Sequence, residues 1–250
     1  MPHLAFHMSV AREMANDIAR PILDADRGAF YLGSTGPDMR ILSRADRMSS
    51  HYFDLDCLDE QDAAGLFFEA HIELVDPSQL DNTTAAFVAG YLTHLVIDEI
   101  WVTDIYRPFF GPGSTLEGDA RANVLDRVLQ YDMDLQCRKD RPVMDEIKGQ
   151  LLATKPAFDA ALADGAILMR WRDIVLDMIS RPPDWERFAR TASRFLAVAG
   201  VSTDDEVNAF MKTLPSLLAE TKAHIGDECL EEFLLKAKAL SLRTLEEYLP

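Results

Sequence analysis

The segment Gly90-Tyr91-Leu92-Thr93-His94-Leu95-Val96-Ile97-Asp98-Glu99-Ile100-Trp101 decides how the chain is read. It reads as one continuous apolar helix, the pattern of a core element rather than a surface one. Yet it carries His94 and Asp98, four residues apart and so stacked on one helical face. A buried charge needs a partner or a metal. An imidazole and a carboxylate fixed one turn apart supply half of a metal site. A buried His–Asp hydrogen bond would satisfy the same pair without an ion.

Outward from this helix the signals stay helical. Upstream, helices are expected over 9–19, stopped by Pro21, over 24–33, and over 59–74 with Asp59 or Asp62 as cap. Between the last two, Gly33-Ser34-Thr35-Gly36-Pro37-Asp38 reads as a loop and 43–50 as an exposed connection. Asp81 or Asn82 caps the long helix, and Pro108 with Gly111-Pro112-Gly113 ends it. Downstream, helices are expected over 116–139, 142–154, 167–180, 185–199, 204–223 and 229–248. No useful β-alternation and no internal repeat is found, so the fold class is all-α. A metal-binding helical core (1–138) is expected to carry a C-terminal helical region (139–250) packed on it as one domain.

Forty-two acidic against twenty-five basic residues give a formal charge of −17. That balance repels nucleic-acid backbone and anionic membrane surfaces. An acidic protein can still bind an anion where divalent metals make the site locally positive. Cys57, Cys137 and Cys229 are widely spaced and form no CxxC, which fits a reducing compartment. The start lacks the features of a signal peptide, and no run reaches the roughly 18 uncharged apolar residues of a membrane span. A cytoplasmic protein without stable membrane insertion is expected.

Five of the six histidines, His3, His7, His51, His71 and His94, fall before residue 95. His3 and His7 form a second i, i+4 pair, though at a terminus expected to fray. His71, in Phe67-Phe68-Glu69-Ala70-His71-Ile72, reads most simply as a hydrogen-bonded core residue. Asp38 after proline is in isolation a cap or turn residue. Order adds more than any one pair: His7, then Asp38, then His51, then His94-x-x-x-Asp98.

That order resembles the zinc-dependent phospholipase C family, which includes many uncharacterised bacterial proteins. The resemblance rests on a histidine in the first helix and Gly33-Ser34-Thr35-Gly36-Pro37-Asp38. It continues with Ser50-His51-Tyr52-Phe53 and the Gly-Tyr-Leu-x-His-x-x-x-Asp helix from Gly90 to Asp98, and it covers about residues 1–110. It implies a multi-helix bundle of that type with additional C-terminal helices. It also implies one metal held by Asp38, His51, His94 and Asp98, with Asp98 bridging to a second held with His7. The ligand types suit zinc, with manganese or iron as alternatives. The family's remaining ion uses a further histidine pair with a glutamate, and after Asp98 this chain has only His224. One or two ions are therefore expected, with His3, His71 or Glu99 as additional ligands or supports.

The chemistry implied is hydrolysis of a small-molecule phosphoester, a diester or phospholipid-like head group, by a metal-activated water. Asp38 can orient or deprotonate that water as well as ligate. Glu99 points about 100° around the helix from Asp98 and is a weaker candidate. Arg40, Tyr52, Tyr91 and Trp101 are candidate pocket groups, Arg40 first because a guanidinium two residues from Asp38 can pair with a phosphate oxygen. A phosphohydrolase of the HD type is disfavoured by the absence of a His-Asp dipeptide. The reading from another class is a non-catalytic helical protein that keeps a metal or a His–Asp network for structure and works by binding. Spare apolar surface on the C-terminal helices would allow a homodimer.

Overall fold

The structure, a computed structural model, describes residues 2–55, 57–59, 61–155, 162 and 164–249. Its helices in chain order are α1 (Leu4–Asp17), α2 (Pro21–Ala25), α3 (Arg27–Gly33), α4 (Arg40–Ser43), α5 (Met48–His51) and α6 (Ala63–Ala70). Next come α7 (Asn82–Ile100), α8 (Arg107–Phe109), α9 (Ala122–Lys139), α10 (Arg141–Ala153) and α11 (Gly165–Ser180). The chain ends with α12 (Phe188–Thr191), α13 (Ser193–Val198), α14 (Asp204–Ile225) and α15 (Asp227–Tyr248). No strand occurs among the described residues, and the fold is all-α.

Helix α7 is the axis of the molecule. Asp81 caps it, accepting from the Thr84 N–H at 3.0 Å and the Thr84 hydroxyl at 2.6 Å. Fifteen of its nineteen residues are buried, so it is enclosed on nearly every side. It crosses α3 where Gly33 meets Phe87 and Gly90 meets Phe30. A Cβ at either glycine would overlap the facing carbonyl oxygen, so only glycine permits the approach. Beyond Ile100 the helix widens into a π turn, Trp101–Tyr106, before α8. The stretch from Asn82 to Phe109 is long and apolar enough to cross a membrane by length and composition, but most of it is buried inside the protein.

The main core joins Met8 and Met14 of α1, Phe30 and Leu32 of α3, Phe67 of α6, and Phe87 and Leu92 of α7. It continues without a break into Ile147 and Leu151 of α10, Trp171 and Val175 of α11, and Leu245 of α15. Hydrophobic contact therefore runs straight across residue 138. A second cluster packs Trp101 and Ile105 against Phe6, Leu125, Leu129 and Phe233. A third lies under α12 to α14, where Phe188, Leu196 and Leu214 meet Val128 of α9.

Five boundaries differ from the sequence expectation; the helix expected over 116–139 starts at Ala122. Helix α1 starts at Leu4, because the buried Asp134 carboxylate on α9 accepts the Ala5 N–H at 2.9 Å and pins the first turn. The expected helix over 24–33 breaks at Asp26. One Asp26 oxygen caps α3 through Ala29 N–H, and the other accepts from the hydroxyls of Thr83 (3.0 Å) and Thr154 (2.9 Å). The expected 59–74 helix is shorter, capped by Asp62 and ended at His71. The stretch 185–199 divides into α12 and α13 at Ala192.

Candidate metal centre

Four separate elements deliver side chains to one point. Helix α7 supplies His94 and Asp98, α1 supplies His7, the 3-10 turn Gly36–Met39 supplies Asp38, and the end of α5 supplies His51. His7, His51, His94 and Asp98 are buried, whereas 30% of the Asp38 side chain remains exposed. The two Asp98 oxygens diverge. Oδ1 faces His7 Nε2 at 3.4 Å, and Oδ2 faces His94 Nε2 at 3.3 Å and His51 Nε2 at 3.5 Å. His51 Nε2 also lies 3.6 Å from Asp38 Oδ1.

These separations are long for hydrogen bonds and match the spacing of ligand atoms around an ion. They exceed the 2.7–3.2 Å of N–H···O bonds, and His7 Nε2, His51 Nε2, His94 Nε2 and both Asp98 oxygens are buried without a hydrogen-bond partner. Ligand atoms about 2.0–2.1 Å from one tetrahedral ion sit about 3.3–3.4 Å apart. Buried orphan acceptors at that spacing fit a cation. His7, His94 and Asp98 form one such group, and Asp38, His51 and His94 a second, with the ligand atoms of each within 4.8 Å of one another. Zinc suits the imidazole–carboxylate set, and manganese or iron also accept it.

The ring orientations are fixed from behind. His94 Nδ1 lies 2.9 Å from the Ser34 carbonyl oxygen, which can only accept; the Nδ1 therefore carries the proton and Nε2 presents its lone pair. Ser50 Oγ donates to the Arg47 carbonyl at 3.2 Å and lies 2.8 Å from His51 Nδ1, whose proton it can accept. His7 stacks on His94 with centroids 4.0 Å apart. Tyr52, directly after His51, adopts the left-handed conformation (φ 52°), ending α5 and turning the chain away from the centre.

Burial and neighbouring charge oppose one another here. Burial pushes His7 down to about 4, helped by His94, and depresses His51 despite Asp38. For His94 burial is outweighed by the Asp98 carboxylate, and its pKa rises above the ordinary imidazole value. Burial would raise both carboxylates, but His94 and His7 hold Asp98 well below its usual range, and His51 and His94 do the same to Asp38. Both carboxylates therefore stay ionised at neutral pH, as ligands must.

The other candidates lie outside the cluster. His3 forms the N-cap position of α1 and packs edge-on to Tyr131, a turn removed from the metal groups; burial and Arg127 push it down to about 3. His71 Nε2 lies 2.8 Å from the Tyr52 hydroxyl. Glu99 faces away from Asp98 and accepts the Ala63 N–H at the start of α6. Trp101 belongs to the second core cluster, where its indole N–H donates to Asp126 at 3.1 Å, so it lines no substrate pocket. Arg40, Tyr52 and Tyr91 do share one cavity beside the cluster, with His71. A larger cavity, about 540 Å³ between α1, α9 and α15, contains none of the ligand residues.

No family model, curated protein or solved structure matches the chain. The site therefore rests on its own geometry. That geometry adds residues which sequence reasoning missed. Arg47 places Nη2 3.6 Å from Asp98 Oδ2 while Nη1 donates to the Phe53 carbonyl at 2.8 Å. It lies within the stretch that reads as an exposed connection. Ser34 and Ser50 orient the histidines, the first through a backbone carbonyl that no side-chain pattern reveals. Asp134, which anchors α1 and so His7, is signalled only by its i, i+4 relation to Arg138, 3.0 Å away.

Proposed function

We propose that this chain is a metal-dependent phosphoesterase built on the bundle of the zinc-dependent phospholipase C type. The observation that carries the reading is the buried set of unpaired imidazole nitrogens and carboxylate oxygens at 3.3–3.6 Å, converging from four elements. His7, Asp38, His51, His94 and Asp98 would hold one or two ions, in two overlapping groups that share His94. An ion bound there supplies Lewis-acid stabilisation of charge on a phosphoryl group and acidifies a coordinated water.

The chain's own residues divide the remaining work. Asp38 is the one ligand with substantial exposure, so the centre meets solvent there. Kept ionised by His51 and His94, its carboxylate can accept a hydrogen bond from the attacking water and align it. Arg47, against Asp98, would add positive charge to the centre for an anionic substrate. The substrate is a small-molecule phosphoester, a diester by preference, because one remaining negative charge suits a centre already carrying two carboxylates.

Metal analysis of the purified protein followed by turnover of bis-p-nitrophenyl phosphate tests this. Metal-dependent hydrolysis lost in Asp98→Asn is expected; absence of bound or stabilising transition metal would overturn it. A second reading is favoured by one observation. The His7–His94–Asp98 group is almost completely enclosed, as structural metal sites are. Tight metal binding without turnover on a broad ester panel would support that structural role.

A further inference from the structure

A cavity of about 190 Å³ lies against the centre on the far side of Ser50, and none of the five ligand residues lines it. Its wall includes Pro37, Arg40, Ser49, Tyr52, His71 and Tyr91. Tyr91 donates to the Ser50 carbonyl at 2.6 Å and so separates this space from His51. Among the described residues lining the cavity there is no aspartate or glutamate, in a chain whose formal charge is −17.

Arg40 is the cation left there. Among the described residues it has no carboxylate partner, and its Nε is buried without an acceptor. A guanidinium is always charged and presents several donors in one plane, the match for a planar or tetrahedral oxyanion. The other polar groups do not compete for it. Tyr52 and His71 are engaged with each other at 2.8 Å, and the Ser49 hydroxyl donates to the Asp46 carbonyl at 2.7 Å. The volume admits a phosphate or carboxylate with only a few further atoms.

We propose that this cavity is a compact-oxyanion site anchored by Arg40 and separate from the metal centre. As a subsite for a second anionic group on the substrate it rests on the phosphoesterase reading. As an oxyanion site it does not.

The test is calorimetric titration of the full chain, stripped of metal with chelator, with inorganic phosphate. Saturable one-to-one binding is expected without metal, weakened about tenfold or more in Arg40→Gln and less in Arg40→Lys. Ser49→Glu, which places a carboxylate in the cavity and leaves Arg40 in place, is expected to abolish it, with circular dichroism confirming the fold. Binding that requires metal, or that is equal in wild type and Arg40→Gln, would overturn the proposal. The source of the anion is read on the metal-loaded protein. A raised KM in Arg40→Gln confined to diesters bearing a second anionic group assigns it to the substrate. Unchanged KM for all diesters, with phosphate binding lost, assigns it to a free ion. Failure of all hydrolysis sinks the phosphoesterase reading while leaving the phosphate titration to decide the cavity.

Discussion

The Nδ1 of His94 lies 2.9 Å from the carbonyl oxygen of Ser34, sixty residues earlier in the chain. The contact exists because α3 and α7 approach closely enough at Gly33 and Gly90 to bring the end of one against the middle of the other. Packing of two glycines thus sets the tautomer of a candidate metal ligand.

Gly90→Ala should therefore act twice. A methyl in that crossing forces the helices apart, an overpacking cost of about 1–3 kcal/mol. It also pulls Ser34 away from His94. Thermal unfolding should show a Tm lowered by several degrees, and equilibrium dialysis a weaker metal affinity. Unchanged affinity in the Gly90→Ala protein would disconnect the crossing from the site.

Asp98 and Glu99 are neighbours with opposite expectations. Asp98→Asn should weaken metal binding by about 100-fold or more, since a ligand matters at least as much as the outer partners that orient it. Glu99→Gln should leave metal content unchanged, because Glu99 accepts from Ala63 on the other side of α7. Metal content of the two purified variants checks both.

The metal-free protein should bind metal more weakly as pH falls. The pKa of His94 is raised by Asp98, so below that value its Nε2 lone pair is occupied by a proton that an incoming ion must displace. Affinity should drop by up to about tenfold per pH unit below it. The same shift stabilises the metal-free fold below the ordinary imidazole pKa, and that contribution is lost as pH rises through the raised value. His7 and His51 are depressed and act oppositely, giving stability that is lost as pH falls from about 6.5 towards the His7 value near 4. Melting with and without zinc at pH 6 and pH 8 should give the larger metal-induced rise at pH 8.

Asp134→Ala should be among the more damaging changes outside the centre. It leaves Arg138 buried without its ion-pair partner, a loss of about 3–5 kcal/mol, and frees the first turn of α1. Chemical denaturation measures the first effect. A fall in metal stoichiometry measured on the folded fraction reports the second, through His7.

The centre was legible where local periodicity carries long-range meaning. An apolar helix with His94 and Asp98 on one face can be satisfied only from inside the fold, and His7, Asp38 and His51 precede it in order. Trp101 shows where the same logic stops. It sits one turn beyond Asp98, but the π turn starting there shifts the register, so a 3.6-residue count no longer says which way a side chain points. His7 looked frayed because its anchor, Asp134, is 127 residues away. Arg47 looked exposed because nothing within its own polar stretch reveals that the turn folds inward.

All five candidate ligands lie in the first 98 residues, yet the core around α7 is completed by α15, through Leu245 in one cluster and Phe233 against Trp101 in another. During synthesis the ligands leave the ribosome long before the helix that completes their surroundings. A nascent chain can expose these histidines and aspartates early, but the closed setting that would hold an ion forms only when α15 docks.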